Sequence, residues 1–507
     1  MSAMNDMLRI LREIAPNARK MRADSRCIEA GDIFLAYPGA SHDGRLHIAC
    51  AIHAGAAAVV WESASFEWDT AWRVPHLPLL NLKALAPALA AAWYGQPSHD
   101  LWTIGITGTN GKTSVAQWLA AALTDIGRKT AAIGTLGNGF PGDLKAASHT
   151  TPDAVSLHTL LADYRHDGAS AVAMEVSSHG LDQGRVEGVA FDIAVFTNLS
   201  RDHLDYHGDM QRYAAAKARL FAWPTLQGSV INADDAAGVD LLAKLAGTRG
   251  KVLSYGLHTG ALRAEKCQAD HTGLRLDIVS PWGRGVLNSP LLGEFNAYNL
   301  LAVLGALLLS DVPLPTALAA LEKLRPVAGR MQRVLSNPDA MIDAPTVIVD
   351  FAHTPDALDK VLTALKPLTT GRLICVFGCG GGRDTGKRPL MGAAVAAQAD
   401  WAIVTSDNPR NEDPEHIVQG ILAGMPPQQT VVLARRQAIQ QAIMQAAAGD
   451  IVVLAGKGHE DYQEIHGVKH PFSDYEEARL ALLERSKTKQ PSLTHSENQI
   501  RNSHVSA

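Results

Sequence analysis

The chain is poor in cysteine and has no excess of basic residues. It has five cysteines in 507 residues, an odd number scattered between positions 27 and 379. This pattern does not suit the disulfide framework of a small secreted protein and fits a reducing cytoplasm. Cys375 and Cys379 lie close together, but no second Cys or His pair follows at the spacing of a zinc site. Lysine plus arginine number 46 against 51 acidic residues, without a basic stripe, which argues against nucleic acid as a partner.

The chain also has no long apolar run. Its longest apolar tract, residues 300–309, is far too short to cross a bilayer. Residues 1–22 lack the apolar centre of a signal peptide. No heptad pattern requires a second copy of the chain. We therefore expect a monomeric cytoplasmic protein that does not insert into membranes.

A glycine-rich segment stands between an apolar run and a helix-like stretch. Residues 105–114 read GITGTNGKTS, and a strand, a glycine turn and a helix N-terminus together make a cradle for phosphate. Lys112 adds a positive charge, and the Thr113 hydroxyl can reach Mg²⁺. The strict P-loop requires a glycine five residues before Gly111, where this chain has Ile106. The segment is therefore a P-loop variant, and it predicts that the chain binds a nucleoside triphosphate.

Alternating strand and helix patterns indicate an α/β protein with three domains. A chain of 507 residues is too long for one core. An Ala-rich helix over residues 82–93 is ended by residues 94–97 (YGQP), and residues 326–329 (PVAG) make a second break. The polar C-terminal stretch is expected to be disordered. The predicted segments are an N-terminal domain (1–97), a central domain (98–327), a C-terminal domain (328–486) and a tail (487–507).

Polar clusters follow the predicted strands, at the edge where open α/β sheets bind ligands. Glu175 lies near the end of the apolar strand 171–176, where an unpaired carboxylate would be costly to bury. A Mg²⁺ ion bound to nucleotide phosphates would compensate its charge, although a Glu facing solvent or an arginine would also explain the position. His203 and Lys217 follow later in the same region. Nothing local separates a functional from a structural role for either residue.

The last part of the chain carries a second glycine-rich loop, residues 378–388, and further charged strand ends. Glycines that permit close backbone approach, together with guanidinium groups, suit an anionic ligand. Arg383 and Arg410 could hold carboxylates, and Asp407 and Glu460 could hold ammonium groups. Both signs of charge in one place predict a zwitterionic amino acid as the ligand.

Taken together, these segments resemble the motifs of Mur ligases. The motifs are GTNGKT at 108–113, EVSSHG at 175–180, TNLSRDHLD at 197–205, DFAH at 350–353 and DNPR at 407–410. The match runs in order from about residue 24 to residue 475. It is closest to members that use ATP and Mg²⁺ to add meso-diaminopimelate to UDP-N-acetylmuramoyl-L-alanyl-D-glutamate in peptidoglycan synthesis. The resemblance implies an N-terminal domain for the UDP moiety, a central P-loop-type ATPase sheet and a Rossmann-like C-terminal domain for the amino acid.

The resemblance also implies the site residues. The ATP positions are Gly108, Thr109, Asn110, Gly111, Lys112, Thr113, Ser114, Asn296, Arg330, Asp350 and His353. The positions for the UDP-linked dipeptide substrate are Ala23, Ser25, Ala40, Ser41, His42, His149, Thr150, Thr151, Ser177, Gln183 and Arg185. The diaminopimelate positions are Arg383, Asp407, Asn408, Pro409, Arg410, Gly456 and Glu460. The implied catalytic residues are Lys112, Glu175, His203 and Lys217, and the implied Mg²⁺ ligands are Thr113, Glu175, His203 and Lys217 as a carbamate.

Arg410 is expected to select diaminopimelate over lysine, because lysine lacks the second carboxylate and would leave the guanidinium unpaired. His149 stands where relatives often carry Asn, which leaves its contact open. Three alternatives remain: a ligase for lysine or another amino acid, a relative of folylpolyglutamate synthases, and a nucleotide-binding regulator without catalysis. Arg410 and the UDP-type N-terminal domain argue against the first two. The presence of Glu175, His203 and Lys217 argues against the third.

Overall fold

The structure, a computed structural model, describes residues 2–39, 42–147, 149–248, 250–270, 272–335 and 344–489. Ala40 and Ser41, both predicted to bind the nucleotide-linked substrate, lie outside these ranges, as do residues 490–507 of the predicted tail. The chain divides into two compact units. The first comprises Met1–Ser200, His207–Ala269 and Gly273–Arg325, and the second comprises Arg201–Tyr206, Asp270–Thr272 and Pro326–Ala507.

The N-terminal part of the first unit is a small parallel sheet with three helices. The strands are β1 (Met21–Arg22), β2 (Ile33–Ala36), β3 (Ala58–Glu62) and β4 (His76–Leu79), and the helices are α1 (Ser2–Ile14), α2 (Ile48–His53) and α3 (Leu82–Trp93). The strands pair in the order β1-β2-β3-β4, and every pair is parallel. All residues of β2 and β3 are buried. Helix α3 has the bounds that the sequence predicts, and Gly95 follows it at a φ of +70°.

The rest of the first unit is built on an eleven-stranded sheet. Its strands are β5 (Trp102–Thr107), β6 (Thr130–Gly134), β7 (Gly137–Phe140), β8 (Asp143–Lys145), β9 (Ala171–Glu175), β10 (Ile193–Phe196), β11 (Gly228–Asn232), β12 (Lys251–Gly256), β13 (Leu262–Asp270), β14 (Gly273–Ser280) and β15 (Gly283–Ser289). Their order is β15-β14-β13-β12-β11-β10-β5-β9-β6-β7-β8. The run from β12 through β5 to β6 is parallel throughout, whereas β7 pairs antiparallel with β6 and β8.

Eight helices are assigned along residues 112–322 in the described part of the chain. They are α4 (Lys112–Asp125), α5 (Ala154–His166), α6 (Ser178–Asp182), α7 (Leu204–His207), α8 (Met210–Ala218), α9 (Ala236–Leu245), α10 (Glu294–Leu309) and α11 (Leu314–Glu322). Helix α10 is almost entirely apolar and buried. Such a helix must pack on the sheet along most of its circumference.

The second unit has its own sheet and helices. The strands are β16 (Gln332–Arg333), β17 (Thr346–Asp350), β18 (Leu373–Phe377), β19 (Trp401–Val404), β20 (Thr430–Val431) and β21 (Ile451–Ala455), followed by a hairpin of β22 (Tyr462–Ile465) and β23 (Val468–Pro471). The sheet order is β16-β17-β21-β18-β19-β20, and all pairs except β16-β17 are parallel. The helices are α12 (Pro355–Leu365), α13 (Lys387–Gln398), α14 (Pro414–Leu422), α15 (Arg435–Gln445) and α16 (Asp474–Lys489).

These sheets confirm the predicted α/β class. The central strands β5, β9, β10, β18 and β21 are almost wholly buried, so polar side chains collect in the loops where the strands end. In the described ranges, no helix has both the length and the apolar character needed to cross a membrane. The boundaries at 97/98 and 327/328 stay predictions.

Candidate functional site

The loop between β5 and α4 turns on two glycines. Gly108 has a φ of +150° and Gly111 a φ of +87°, a region that L side chains rarely adopt. A Cβ atom on Gly108 would collide with Thr197 Oγ1, and one on Gly111 would collide with Asn299 Oδ1. Only glycine fits at either position, because the backbone passes so close to these side chains. The loop then leads directly into the N-terminus of α4. This is the geometry that the P-loop variant predicts.

Hydrogen bonds fasten this loop to the end of β10. Thr109 N donates to Asn198 O and Asn110 N donates to Asn198 Oδ1, both at 2.9 Å. Thr197 Oγ1 donates to Asn110 O at 2.6 Å, and Ser200 N donates to Thr109 Oγ1 at 3.0 Å. The protein's own contacts therefore hold the loop in shape.

Two lysines donate to the carbonyl of Gly108. Lys112 Nζ bonds Gly108 O at 2.9 Å and Thr109 O at 2.8 Å. Lys217 Nζ bonds Gly108 O at 2.7 Å and lies 4.4 Å from the centre of the Tyr213 ring. Lys217 is 1% exposed, which its local sequence did not indicate. The structure thus brings Lys217 to the loop that carries Lys112.

Glu175 ends β9 and is 1% exposed. Thr113 Oγ1 and Thr135 Oγ1 donate to its Oε2 at 3.0 and 3.1 Å, and Thr135 N donates to its Oε1 at 2.7 Å. A Cβ atom on Gly134 would collide with this carboxylate, so glycine makes room for it. The strand-end Glu is therefore not paired with an arginine among the contacts described here. It belongs to a set of oxygen atoms next to the phosphate loop.

An oxygen donor set of this kind suits Mg²⁺. In the described part of the chain, no group of three or more His, Cys, Asp or Glu side chains forms a metal cage. Mg²⁺ does not require one, because it usually takes one or two carboxylates together with waters and substrate phosphates. Thr113 and Glu175 fit that pattern.

Several positions predicted for the UDP-linked substrate lie beside Glu175. Thr150 Oγ1 is 3.0 Å from Thr135 Oγ1. Thr151 Oγ1 bonds Glu175 O at 2.9 Å and Ser177 Oγ at 3.0 Å. Thr135, which was not predicted, thus links the predicted substrate-side hydroxyl of Thr150 to the predicted metal carboxylate.

Arg185 extends this group of substrate-side residues. Its Nη1 donates to Thr151 O at 2.9 Å, and its Nε donates to Gln183 Oε1 at 3.0 Å. Burial lowers the pKa of His149, and the positive charge of Arg185 lowers it further. The imidazole of His149 is therefore neutral near neutral pH, and Arg185 carries the positive charge of this group.

Helix α10 contributes two asparagines at adjacent turns. Asn296 Nδ2 donates to Leu292 O at 2.8 Å, and Asn299 Nδ2 donates to Asn296 Oδ1 at 3.1 Å. The Asn299 side chain also packs against Gly111. Only Asn296 was predicted. The sequence feature that could have identified Asn299 is its position three residues after Asn296, on the same face of an otherwise apolar helix.

The described positions predicted for the UDP end lie in the N-terminal part of the first unit. Ala23 packs against the core of the small sheet. Ser25 begins a short 3-10 turn that is capped by the side chain of Asp24. His42 O accepts a 2.7 Å hydrogen bond from Gly39 N. Their contact with a nucleotide stays a prediction.

In the second unit, Asp202 is surrounded by basic side chains. Its carboxylate lies 3.4 Å from His203 Nε2, 3.9 Å from His353 Nε2 and 3.8 Å from Lys387 Nζ. Burial raises the pKa of Asp202, but these neighbours outweigh burial and hold the pKa below 3.8. Burial lowers the pKa of His353, and Lys387 lowers it further. The predicted residues His203 and His353 thus share Asp202, which was not predicted.

Asp350 ends β17 and organises the segment around it. Its carboxylate accepts from Met331 N at 2.7 Å and from Ala352 N at 2.8 Å. Burial raises its pKa, and the charge of Arg330 partly offsets the increase. The Arg330 guanidinium lies 4.2 Å from the centre of the Phe351 ring. The predicted residues Arg330 and Asp350 therefore come together.

The loops after β19 and β21 bring most of the predicted amino-acid site together. Asp407 and Asn408 are buried. Gly456, at a φ of +115°, approaches Asp407 so closely that a Cβ atom would lie 2.6 Å from Asp407 Oδ2. Asn408 Nδ2 donates to Glu460 Oε2 at 2.9 Å. Two carboxylates and an amide thus form one polar cluster at this edge of the sheet.

Lys457 lies inside this cluster, although it was not predicted. Its side chain is 0% exposed. Its Nζ donates to Glu460 Oε2 at 2.8 Å and to Asn408 Oδ1 at 3.1 Å, and it lies 4.0 Å from Asp407 Oδ1. A lysine between two loop glycines is expected in solvent, so the local sequence gave no signal for this burial.

Arg410 lies at the end of the same loop, after the buried Pro409. Its backbone φ is +54°. Its Nη1 donates to Gly381 O at 2.8 Å, and its Nε lies 3.3 Å from Glu464 Oε2. Arg383 is exposed on the loop after β18, and its contact with an amino acid stays a prediction.

Three family models match successive parts of the chain. The model described as "Mur ligase family, catalytic domain" matches residues 18–94. "Mur ligase middle domain" matches residues 106–307, and "Mur ligase, glutamate ligase domain" matches residues 329–458.

Named relatives cover almost the whole chain. A UDP-N-acetylmuramoyl-L-alanyl-D-glutamate--2,6-diaminopimelate ligase of Ectopseudomonas mendocina is 53% identical over 468 residues, which are 92% of this chain and 95% of the relative. A solved structure of a ligase with the same name is 38% identical, with a TM-score of 0.63, and the match covers 94% of this chain and 99% of that one. The MurF ligase of Thermotoga maritima in complex with ADP shares the fold at 16% identity, with a TM-score of 0.67, over 93% of this chain and 98% of that one.

Proposed function

The chain belongs to the Mur ligase family, and we propose that it is an ATP-dependent ligase that adds meso-diaminopimelate to UDP-N-acetylmuramoyl-L-alanyl-D-glutamate. This reaction would make a precursor of peptidoglycan. The names of the 53% identical relative and of the 38% identical solved structure support this substrate pair. We also propose that the enzyme acts as a cytoplasmic monomer.

One observation supports the proposal most strongly. It is the phosphate loop, which bends at two glycines and carries Lys112, together with the hydrogen-bonded, buried pair Thr113–Glu175 next to it. We propose that ATP binds here through Gly108, Thr109, Asn110, Gly111, Lys112, Thr113 and Ser114, with Asn296, Arg330, Asp350 and His353 as further contacts. We propose that residues 1–97 bind the UDP end, that residues 98–327 bind ATP and that residues 328–486 bind the amino acid.

The chemistry begins with a carboxylate, which is a poor electrophile. The γ-carboxylate of the D-glutamyl residue attacks the γ-phosphorus of ATP, the bond to ADP breaks, and an acyl phosphate forms. An amine of diaminopimelate then attacks the acyl carbon, and the tetrahedral intermediate releases phosphate as the amide forms and the nitrogen loses its proton. Lys112 places a positive charge where charge develops on the transferred phosphoryl group.

Thr113 and Glu175 would hold Mg²⁺, with His203 and a carbamylated Lys217 as further predicted ligands. When bound, Mg²⁺ supplies positive charge against the phosphate oxygens. The hydroxyl and amide of Thr135 orient the Glu175 carboxylate. The buried position of Lys217 at Gly108 is compatible with a role at the phosphate loop, and its carbamylation stays a prediction.

The amino-acid site would use the cluster in the second unit. Asp407 and Glu460 offer carboxylates for an ammonium group, and the Asn408 amide donates to Glu460. Arg410 offers a guanidinium for the second carboxylate of diaminopimelate. Removing that carboxylate, as in lysine, would leave Arg410 without its substrate partner, which disfavours lysine.

The experiment that tests the proposal measures phosphate release from ATP in the presence of UDP-N-acetylmuramoyl-L-Ala-D-Glu, with either meso-diaminopimelate or L-lysine. We expect turnover with diaminopimelate and turnover at least about 100-fold slower with lysine. Comparable turnover with lysine would contradict the proposed substrate while keeping the ligase reaction. Phosphate release that needs no amino acid would contradict the ligase reaction itself.

The variant that tests the role of the phosphate loop is Lys112→Ala. We expect its turnover to fall by about 100-fold or more, because a charge that stabilises the transferred phosphoryl group is lost. The circular dichroism spectrum should stay that of the parent. Parent-level turnover in Lys112→Ala would show that this loop is not the ATP site.

A further inference from the structure

We propose that Lys457 is a positioning residue of the amino-acid site, which orients Glu460 and Asn408 toward the ammonium group of the incoming amino acid. This role rests on the proposed function, since it concerns the same site. Lys457 is fully buried in a part of the molecule where predicted ligand-binding residues converge. A buried ammonium group is costly unless it is paired, so its partners indicate its role.

The partners of Lys457 come from two loops. Glu460 Oε2 at 2.8 Å lies on its own loop, and Asn408 Oδ1 at 3.1 Å lies on the loop after β19. Asp407 Oδ1 is 4.0 Å away on that second loop. Lys457 is thus a cross-link between the two loops that carry the predicted amino-acid contacts. It is not one of those contacts itself.

The charges of this cluster match one substrate ammonium group. Asp407 and Glu460 carry two negative charges, and Lys457 neutralises one of them. The buried Arg435 nearby is itself paired with Asp474 at 2.6 Å. One negative charge therefore remains in the cluster, which suits a single substrate ammonium group. Without Lys457 the two carboxylates would lose the buried cation that lies between them, at 2.8 Å from Glu460 Oε2 and 4.0 Å from Asp407 Oδ1. They would then repel each other, and Glu460 would no longer be held in place for the substrate.

Lys457 also fixes the orientation of the Asn408 side chain. Asn408 Oδ1 accepts from Lys457 Nζ and from Glu464 N at 2.9 Å, so the Nδ2 group must point the other way, to Glu460 Oε2. Glu460 Oε2 therefore receives two donors from the protein. In the contacts of the described residues, Glu460 Oε1 is left to accept from the substrate.

The flanking glycines explain how the lysine turns inward. Gly456 and Gly458 have φ values of +115° and +54°. A Cβ atom on Gly458 would lie 2.8 Å from Phe351 Cβ and from Gly329 O. The tight turn that these glycines allow directs the side chain of Lys457 under the loop after β19.

The test compares Lys457→Met with the parent in the full-length enzyme. Methionine keeps the apolar stem and removes the charge. We expect the KM for diaminopimelate to rise about tenfold or more, because two carboxylates lose their buried partner. The KM for ATP should change much less, since none of the partners of Lys457 is a proposed ATP contact. A KM for diaminopimelate within about twofold of the parent would overturn the proposal.

Three further variants separate positioning from stability. Lys366→Met is the matched control, because it also breaks a close lysine–carboxylate pair of this unit, with Asp400 at 2.6 Å, but both residues are at the surface. Its KM values should equal those of the parent. In Lys457→Met/Glu460→Gln, the KM for diaminopimelate should rise by clearly less than the product of the two single-variant increases, since Lys457 acts in part through Glu460. Full additivity would overturn the proposal.

Melting temperatures of all variants are measured alongside. If Lys457→Met does not fold, Lys457→Gln, which retains an N–H donor for Asn408, is held to the same KM criterion. If the parent accepts lysine instead of diaminopimelate, the proposed substrate is wrong, but lysine also carries an α-ammonium group. The same comparison with lysine then decides the role of Lys457.

Discussion

Gly108 meets three structural requirements of the phosphate loop at once. Its backbone turns at a φ of +150°, it leaves no space for a Cβ atom beside Thr197, and its carbonyl accepts from Lys112 and Lys217. A side chain here would move the loop and both lysines together. The position therefore tests whether loop geometry limits activity.

We predict that Gly108→Ala reduces ATP-dependent phosphate release by about 100-fold, because a displacement of about 1 Å in a catalytic loop is enough for such a loss. The measurement is the phosphate-release assay with both substrates. Gly142→Ala is the matched control. Gly142 also has a positive φ, of +89°, but a Cβ atom there would meet nothing within 4 Å. Equal losses in the two variants would show that backbone strain, rather than the collision with Thr197, is responsible.

Among the elements of the second unit, the loops after β18 and β19 are tied together by one ion pair. Arg388 at the start of α13 donates to both oxygens of Glu412 at 2.7 Å. Glu412 also accepts from Gly382 N at 3.1 Å. Hydrogen bonding from Arg388 lowers the pKa of Glu412 from 4.5 to about 2. The pair therefore fixes two loops of the proposed amino-acid site relative to each other.

We predict that Glu412→Gln lowers the unfolding free energy by about 2 kcal/mol near neutral pH, the typical contribution of hydrogen bonds to a charged group. Because the folded pKa is depressed, the stabilisation is complete above the ordinary pKa of 4.5 and is lost as the pH falls toward 2. The difference in urea midpoint between parent and variant should therefore shrink below pH 4.5. The control is Glu415→Gln, at an exposed glutamate in the first turn of α14. It should change neither the unfolding free energy nor the pH dependence of the urea midpoint. A difference that is independent of pH would contradict this account.

Helices with clear start or stop residues in the sequence were predictable. Helix α3 has its predicted bounds. Helix α12 begins with the N-cap Thr354, which accepts from Ala357 N at 3.3 Å, followed by Pro355, and this order of residues is a helix-start signal in the sequence. Strands β6, β7 and β8 were not predicted. The glycines at 137 and 139 make β7 look like a turn, and its pairing with β6 and β8 supplies the hydrogen bonds that make it a strand.

On the scale of the whole molecule, the chain contains two compact units, and the second has a core of its own. That core includes Val349, Ile374, Ile403 and Val452, from four neighbouring strands of the six-stranded sheet. An independent core is the physical requirement for independent folding.

We predict that residues 326–489, expressed alone, unfold in one cooperative transition in urea, because the sheet and its covering helices lie within this segment. The measurement is circular dichroism together with tryptophan fluorescence, and the two signals should change at the same urea concentration. Val452→Asp in the same fragment is the control. It buries a charge at a fully buried position and should abolish the transition. A broad transition in the unmodified fragment would show that this unit needs the rest of the chain.

By itself, the sequence determined the features that depend on neighbouring residues. It specified the α/β class, the P-loop variant at 108–113 and the polar strand ends, because periodicity, glycine turns and helix caps act over a few residues. Only the tertiary structure decided the features that join distant parts of the chain. Thr135 reaches Glu175 across 40 positions, Lys457 reaches Asn408 across 49, and Lys217 reaches Gly108 across 109. Local patterns carry no information about such contacts, since the folded backbone alone brings these groups within hydrogen-bond distance and removes the water around them.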